Sequence, residues 1–217
     1  MHDFKYVPNE EWKPIRDELF KIIHKLQDEV SDHFTFQYHF VGSSKRKMIT
    51  RDQNSNTGFD FDVNIEVNDP DENYSAEEIR NILRKSLDKI TNPFGYPIFG
   101  YDYTEDSTRV LTIKVKDSLN SYILHSCDFC VIHECYDGRQ QYIHYNKSQR
   151  SYSWEYQPKG YYQLPDKIKW IKEHKLWQQV RDNYIYKKNE NTNDNKKSRS
   201  IFAETIHQVC QQNGYYK

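Results

Sequence analysis

The sequence predicts an α+β fold with intermixed helices and strands and a helical C-terminal part, and three observations carry this. Apolar residues recur at every third or fourth position over residues 12–30 and 79–87, as on one stripe of a helix. They alternate strictly with polar residues over 59–67, as on a half-buried strand. After Pro165 the helical period returns. A chain of 217 residues, 36% hydrophobic and 29% charged, buries one sizeable core and hardly two. Its 15% aromatic content, with 18 tyrosines, argues for a packed protein, because disordered chains lack such surface.

Asn9 is a helix-capping residue, and Trp12, Ile15, Leu19, Ile22, Ile23, Leu26 and Val30 form one stripe of a helix that ends near residue 32. Pro14 is tolerated in a first turn and not deeper, so regular helix is expected to begin nearer 13 than 10. Phe34, Phe36, Tyr38 and Phe40 alternate along a strand that ends at Gly42-Ser43-Ser44. A basic, polar stretch, Lys45 to Gly58, leads into the alternating strand 59–67. Ser75 with Glu78 has capping-box spacing and opens a helix over about 76–90. Beyond Pro93, Gly95 and Pro97, strands are expected at 98–103, 109–116, 122–135 and 139–146. Glu105-Asp106-Ser107 and Asp137-Gly138 serve as hairpin turns. Ile168, Ile171, Leu176, Val180 and Ile185 mark two short helices, and Ile201, Phe202, Ile206 and Val209 a last one. Between these lies Lys187 to Ser200, an Asn/Lys-rich loop with five basic and two acidic residues. The expected organisation is a sheet domain over 1–160 and a helical region over 161–217 packed on it.

The balance of 31 basic and 32 acidic residues, a net charge of −1, excludes a globally basic surface that coats polyanions. Any nucleic-acid contact must be a local patch. No run approaches the roughly 18 apolar residues of a membrane span. The N-terminus MHDFKYVPNEEW has neither a basic nor an apolar leader region, so a soluble, cytoplasmic protein without a membrane partner is expected. The four cysteines, Cys127, Cys130, Cys135 and Cys210, are not spaced as a disulfide framework, and reduced thiols are expected. His125, Cys127, Cys130, His133 and Cys135 raise the question of zinc. On a strand, however, 125, 127, 133 and 135 share one face over more than about 30 Å while 130 points away, so one tetrahedral site does not gather them. No Walker A motif, dinucleotide fingerprint or Gly-x-Ser-x-Gly elbow is present.

Side chains alternate on a strand, so Asp60 and Asp62 emerge on one face and Phe59, Phe61, Val63, Ile65 and Val67 on the other. Two carboxylates side by side repel unless a cation sits between them, and hard oxygen ligands suit Mg²⁺ or Mn²⁺. An amphipathic strand with a solvated acidic face has the same alternation. Gly42-Ser43 at the end of the preceding strand adds backbone N–H groups and a hydroxyl for phosphate oxygens. Asp128, inside the largely apolar run Ile123 to Ile132, needs a partner or a metal. Taken alone it reads more readily as a hydrogen-bonded structural residue or one that faces solvent.

Together, a strand ending in Gly42-Ser43, the Asp60-Phe61-Asp62 strand and a later strand carrying Asp128 resemble the signature of the DNA polymerase β-like nucleotidyltransferase superfamily. The resemblance spans roughly residues 34–135. It implies a palm-like mixed sheet and a two-metal transfer of a nucleoside monophosphate from an NTP, with ATP as donor, to an acceptor hydroxyl. In that scheme Asp60 and Asp62 hold both ions and Asp128 completes the one that activates the acceptor. Gly42, Ser43, Ser44 and Lys45 meet the phosphates. The sixteen residues 44–59 between Ser43 and Asp60 depart from a tight link. Lys45, Arg46, Lys47 and Arg51 place positive charge where a triphosphate would lie. Lys187, Lys196, Lys197, Ser198 and Arg199 are candidates for triphosphate or RNA contact, against the reading of a plain surface loop. Tyr142, Tyr145, Tyr152, Tyr156, Tyr161 and Tyr162 are candidates for base stacking, against ordinary packing. Short RNA, a nucleotide, a small molecule and a protein all remain open as acceptors. The competing readings are an inactive nucleotide- or RNA-binding module of the same fold in a regulatory or toxin-antitoxin pair, and an unrelated α+β protein with a solvated acidic strand.

Overall fold

A computed structural model describes residues 2–69, 71–96, 99–117, 119, 122–157, 164–193 and 195–215. In chain order its elements are β1 (Phe4–Tyr6), α1 (Asn9–Val30), β2 (Thr35–Val41), the single turn α2 (Gly42–Lys45), β3 (Thr50–Asp52), β4 (Thr57–Asn68) and α3 (Ala76–Thr91). A 3₁₀ turn at Pro93–Gly95 follows, then β5 (Glu105–Asp106), β6 (Leu111–Asp117), β7 (Tyr122–Glu134), β8 (Gln140–Asn146) and β9 (Ser151–Tyr156). The chain ends in α4 (Leu164–Glu173), α5 (Trp177–Glu190) and α6 (Ser198–Gln212). The α+β class expected from the sequence holds.

The chain divides into two compact units. One comprises Val7–Ile49 and Asn56–Gln157, the other Met1–Tyr6, Thr50–Ser55 and Pro158–Lys217. The expected boundary at 160/161 lies outside the described residues. The helical unit takes two segments from earlier in the chain, where a contiguous 161–217 region was expected.

The sheet unit is a seven-stranded mixed sheet in the order β2-β4-β7-β6-β5, with β8 on β7 and β9 on β8. Among the described residues only the β4–β7 pair is parallel. Phe59, Phe61, Val63, Ile65, Leu111, Ile113, Cys127, Phe129 and Val131 turn to one face and are buried with Leu19, Ile22, Ile23 and Leu26 of α1 and Ile79, Leu83 and Leu87 of α3. Each such side chain contributes about 1.5–3 kcal/mol on removal from water, so this face fixes the register of every central strand. The polar positions between them are thereby forced onto the other face.

The capping box at Ser75 forms in full: the Glu78 amide donates to the Ser75 hydroxyl, and the Ser75 amide donates to the Glu78 carboxylate at 2.8 Å. From α3, the fully buried Arg80 donates to Asp106 at 2.7 and 3.1 Å and to the carbonyls of Ser107 and Arg109 at 2.8 and 3.1 Å. Tyr152 of β9 donates to the other oxygen of Asp106 at 2.7 Å. One guanidinium thus ties a helix to a hairpin turn.

Several elements differ from expectation. α1 begins at Asn9, with Pro14 inside it and Pro8 in the capping position. Trp12 is only 2% exposed, and its burial outweighs the missing Pro14 N–H. Of the expected strand 98–103, Ile98 lies outside the described residues, and Tyr101 forms only an isolated bridge to Val115. Glu105 and Asp106, expected in a turn, pair with Thr112 and Leu111 as β5, and the turn falls at Ser107–Val110 instead. β9, β1 and β3 were not expected at all. The expected loop 187–200 shortens to 191–197, because α5 runs on to Glu190 and α6 starts at Ser198.

The helical unit buries Ile171, Val180, Tyr184, Ile201, Phe202, Ile206 and Val209, among others. In it the β1–β3 ribbon is pinned to α5. The Phe4 amide donates to Asn189 at 2.6 Å, the Tyr6 hydroxyl donates to the Arg181 carbonyl at 2.8 Å, and the buried Lys188 ammonium lies 3.8 Å from the Phe4 ring centroid and 2.8 Å from the Thr50 hydroxyl. No helix among the described residues is long and apolar enough to cross a membrane.

Candidate active site on the sheet

The register places the predicted acids together. Asp62 on β4 lies directly beside Asp128 on the parallel β7, and Asp60 sits two residues earlier beside Ser126. Across β6 the same row continues from Asp128 to Thr112, and then to Glu105 of β5. One transverse row therefore reads Asp62, Asp128, Thr112, Glu105, and the next reads Asp60, Ser126, Lys114. Neighbouring strands stand about 4.8 Å apart, so the two in-register carboxylates cannot avoid each other's field.

That field shows in the titration of the acids. Burial, then the charges of Asp60 and Asp128, push the Asp62 carboxyl up to about 7, while Arg46 acts in the opposite sense. Burial likewise raises Asp128, with the Thr112 hydrogen bond and Lys114 opposing, and Asp60 and Glu105 adding to the rise. The Thr112 hydroxyl donates to Asp128 Oδ1 at 2.6 Å. Lys114 pairs with Glu105.

At the other end of the row, Val41 faces Asp62 across the antiparallel β2–β4 pair, and the next residue is Gly42. Gly42 has φ +61, and a Cβ there would stand 2.0 Å from Asp62 Oδ2. The glycine is needed on both counts: backbone conformation and room for the carboxylate. Gly42 to Lys45 make one helical turn in which the Ser44 hydroxyl donates back to the Val41 carbonyl at 2.9 Å. Ser44 is buried in that contact, Ser43 is half-buried and Lys45 exposed. The Met48 amide donates to the Ser43 carbonyl at 2.9 Å, which closes the loop.

Lys187, Lys197 and Ser198 belong to the helical unit. Lys187 stands 3.9 Å and Lys196 2.7 Å from the Glu204 carboxylate, and Lys197 and Ser198 open α6. Of the tyrosines named for stacking, Tyr161 and Tyr162 lie outside the described residues. Tyr142 is buried beneath the Arg109 guanidinium, Tyr145 stacks on Tyr152 at 4.6 Å, and Tyr156 lies under Arg139. All four are engaged by neighbours, Tyr145, Tyr152 and Tyr156 within the β8–β9 hairpin and Tyr142 also by Arg109 of the β5–β6 turn. His125 and Cys127 point into the core. Burial pushes His125 down to about 4 and Cys127 well above its ordinary value, which keeps the imidazole and the thiol neutral.

Thr112, Lys114 and Glu105 escaped the sequence reading. The alternation Leu111-Thr112-Ile113-Lys114-Val115 placed Thr112 and Lys114 on a polar face, but only the pairing of β6 with β7 shows that this face is the one carrying Asp128.

Three carboxylates and no soft donor form a ligand set suited to Mg²⁺ or Mn²⁺; the rise of the Asp62 carboxyl owes most to burial and next to the charges of Asp60 and Asp128, the part a cation would offset. As they stand, no three His, Cys, Asp or Glu side chains among the described residues are gathered tightly enough to ligate one ion.

No family model matches the chain, and no curated protein matches it. Solved structures do. The GTP-bound form of Vibrio cholerae DncV superposes with a TM-score of 0.57 at 14% identity, over 94% of this chain and 52% of that one. The 3′-deoxy ATP form gives 0.56 at 14%, over 94% and 53%. DncV, described as a cyclic AMP-GMP synthase, in complex with the linear intermediate 5′ pppA(3′,5′)pG gives 0.56 at 13%, over 94% and 52%. The chain thus shares the fold of DncV, a mixed sheet with flanking helices, and the resemblance read from the sequence holds at the level of fold. The chain spans about half the length of these proteins.

Proposed function

We propose that the chain is a nucleotidyltransferase that moves a nucleoside monophosphate from an NTP, with ATP as donor, to an acceptor hydroxyl. The observation that carries this reading is the single row joining Asp62 and Asp128 in register, with Asp60 beside it and the Gly42-Ser43 turn against Asp62. An unrelated protein with a solvated acidic strand has no reason to bury one of its acids against a glycine and to place a second beside it on the neighbouring strand.

In this reading Asp60 and Asp62 hold Mg²⁺ or Mn²⁺ and Asp128 completes the set. Bound divalent ions supply charge neutralisation on the phosphates and activation of the acceptor oxygen. The rest is positioning by the chain. Gly42 and Ser43 present backbone N–H groups and a hydroxyl to the β- and γ-phosphates, and Lys45 adds exposed positive charge at the same turn. The rigid parallel β4–β7 pair fixes the spacing of the acids. The acceptor hydroxyl gives up its proton to water as its oxygen forms a bond to the α-phosphorus, the bond from that phosphorus to the β-phosphate's bridging oxygen breaks, and pyrophosphate departs. Among acceptors we adopt a nucleotide hydroxyl, supported by the linear dinucleotide bound to DncV. We place the activity in the cytoplasm, in keeping with reduced thiols.

The test is thermal unfolding with each of the four NTPs, with and without Mg²⁺ or Mn²⁺, followed by pyrophosphate release from single and paired NTPs. Wild type should be stabilised by ATP only with the divalent ion and should release pyrophosphate, and Asp62→Asn should lose both. No stabilisation by any NTP overturns the reading. Metal-dependent binding without pyrophosphate release would overturn turnover and favour an inactive nucleotide-binding module.

A further inference from the structure

We propose that Thr112 is the positioning residue for Asp128, fixing which carboxylate oxygen is presented to a divalent ion. The inference rests on the reading of Asp60, Asp62 and Asp128 as the acids of nucleotidyl transfer. Thr112 stands directly opposite Asp128 on the antiparallel β6, and its hydroxyl donates to Oδ1 at 2.6 Å, short as hydrogen bonds to a charged acceptor are. A β-branched side chain on a strand has little rotamer freedom, so the donor is held in place before any ligand arrives. With Oδ1 accepting that bond, Oδ2 is the oxygen with both lone pairs open to a ligand, and the carboxylate cannot rotate without breaking the bond.

A second observation shows that the hydroxyl is committed to Asp128 rather than shared. Thr112 is flanked on its other side by Glu105, a carboxylate that would compete for the same donor. Glu105 is instead paired with Lys114, from the next row of the same strand, whose side chain is only 15% exposed. The ammonium takes Glu105, and the hydroxyl takes Asp128. Hydrogen-bond partners of metal-ligating carboxylates typically influence affinity or activity by about 10–100-fold.

The experiment is Mn²⁺ titration of the full chain without nucleotide, comparing wild type, Asp62→Asn, Thr112→Val and Thr112→Ser, with kcat and KM for ATP measured in parallel. Thr112→Val should bind Mn²⁺ about 10–100-fold more weakly and lose kcat with an unchanged KM for ATP, while Thr112→Ser, which keeps the hydroxyl, should stay within about threefold of wild type. Thr112→Ala also lacks the hydroxyl and gives the same comparison should Thr112→Val fail to fold. Equal Mn²⁺ affinity in wild type and the hydroxyl-less variant overturns this inference alone. Equal losses in Thr112→Ser and Thr112→Val also overturn it, since they trace the effect to packing. Wild type that binds no Mn²⁺ through Asp62 overturns the nucleotidyl-transfer reading and this inference with it, a result recognised without any Thr112 variant.

Discussion

Gly42 and Asp62 are the two residues whose chemistry is most constrained by each other. Any side chain at 42 meets the Asp62 carboxylate within 2.0 Å and must adopt φ +61, so Gly42→Ala carries both a clash and about 1–2 kcal/mol of backbone strain. Urea unfolding should show a loss of at least that size, and metal-dependent NTP stabilisation should vanish with it. The raised Asp62 carboxyl makes a second prediction, whose sign follows from linkage. A carboxyl moved from its ordinary 3.8 up to about 7 binds its proton more tightly in the folded than in the unfolded chain. Its contribution to stability is therefore complete below about pH 4 and is lost as the pH rises through 7, at up to about 1.4 kcal/mol per pH unit. Melting of wild type should weaken over that interval, Asp62→Asn should flatten the profile, and Mn²⁺ should restore stability at pH 8. An unchanged slope in Asp62→Asn would place the titration elsewhere. The Asp-x-Asp pair and the Gly-Ser turn were legible in the sequence because each follows from the period of a single strand, the first inside β4 and the second at the end of β2. The row Asp62, Asp128, Thr112, Glu105 was not, because it depends on the register between four strands, and register is decided by how distant apolar faces meet.

Elements were legible in proportion to how local their causes are. The Ser75 capping box and the 79–87 stripe predicted α3 to within a residue, since a cap and a period are properties of a short segment. β9 was missed because Ser151–Tyr156 gains its strand character from pairing with β8, and β1 and β3 are three-residue strands whose partners lie about 46 residues apart. The early start of α1 shows tertiary burial of Trp12 outweighing a local rule about proline. Arg80 is the element-scale contact with the largest expected cost. Its five donated bonds run from α3 to Asp106 and to the carbonyls of Ser107, Arg109 and Ile143. Removing one partner of a buried ion pair leaves the other uncompensated, which costs about 3–5 kcal/mol. Arg80→Ala should lower the urea midpoint accordingly, while Lys85→Ala, on the exposed side of the same helix, should change it little. Comparable effects in the two variants would mean that the helix, and not the ion pair, is what the substitution disturbs.

At the scale of the whole molecule, the helical unit is assembled from three separate stretches of chain, and its tertiary bonds span most of the sequence. Phe4 exchanges hydrogen bonds with Asn189 in both directions, Arg181 stacks over Tyr6, and Lys188 reaches Thr50. The buried cluster of the sheet unit, from Val7 to Ile143, draws no residue from these segments. Local stability follows such contact networks, so the two units should respond separately to a cut. Deleting residues 2–6 removes the ring beneath Lys188, the hydroxyl bound to the Arg181 carbonyl and one strand of the β1–β3 ribbon. Hydrogen exchange should then accelerate along α5, at residues 177–190, by the loss of those contacts. Amides of Phe61 to Ile65 on β4, hydrogen-bonded between β2 and β7 over a buried face, should keep their protection. Equal acceleration in both places would mean that the N-terminal segment supports the sheet as well, and that the division of the chain into these two units does not describe how its stability is distributed.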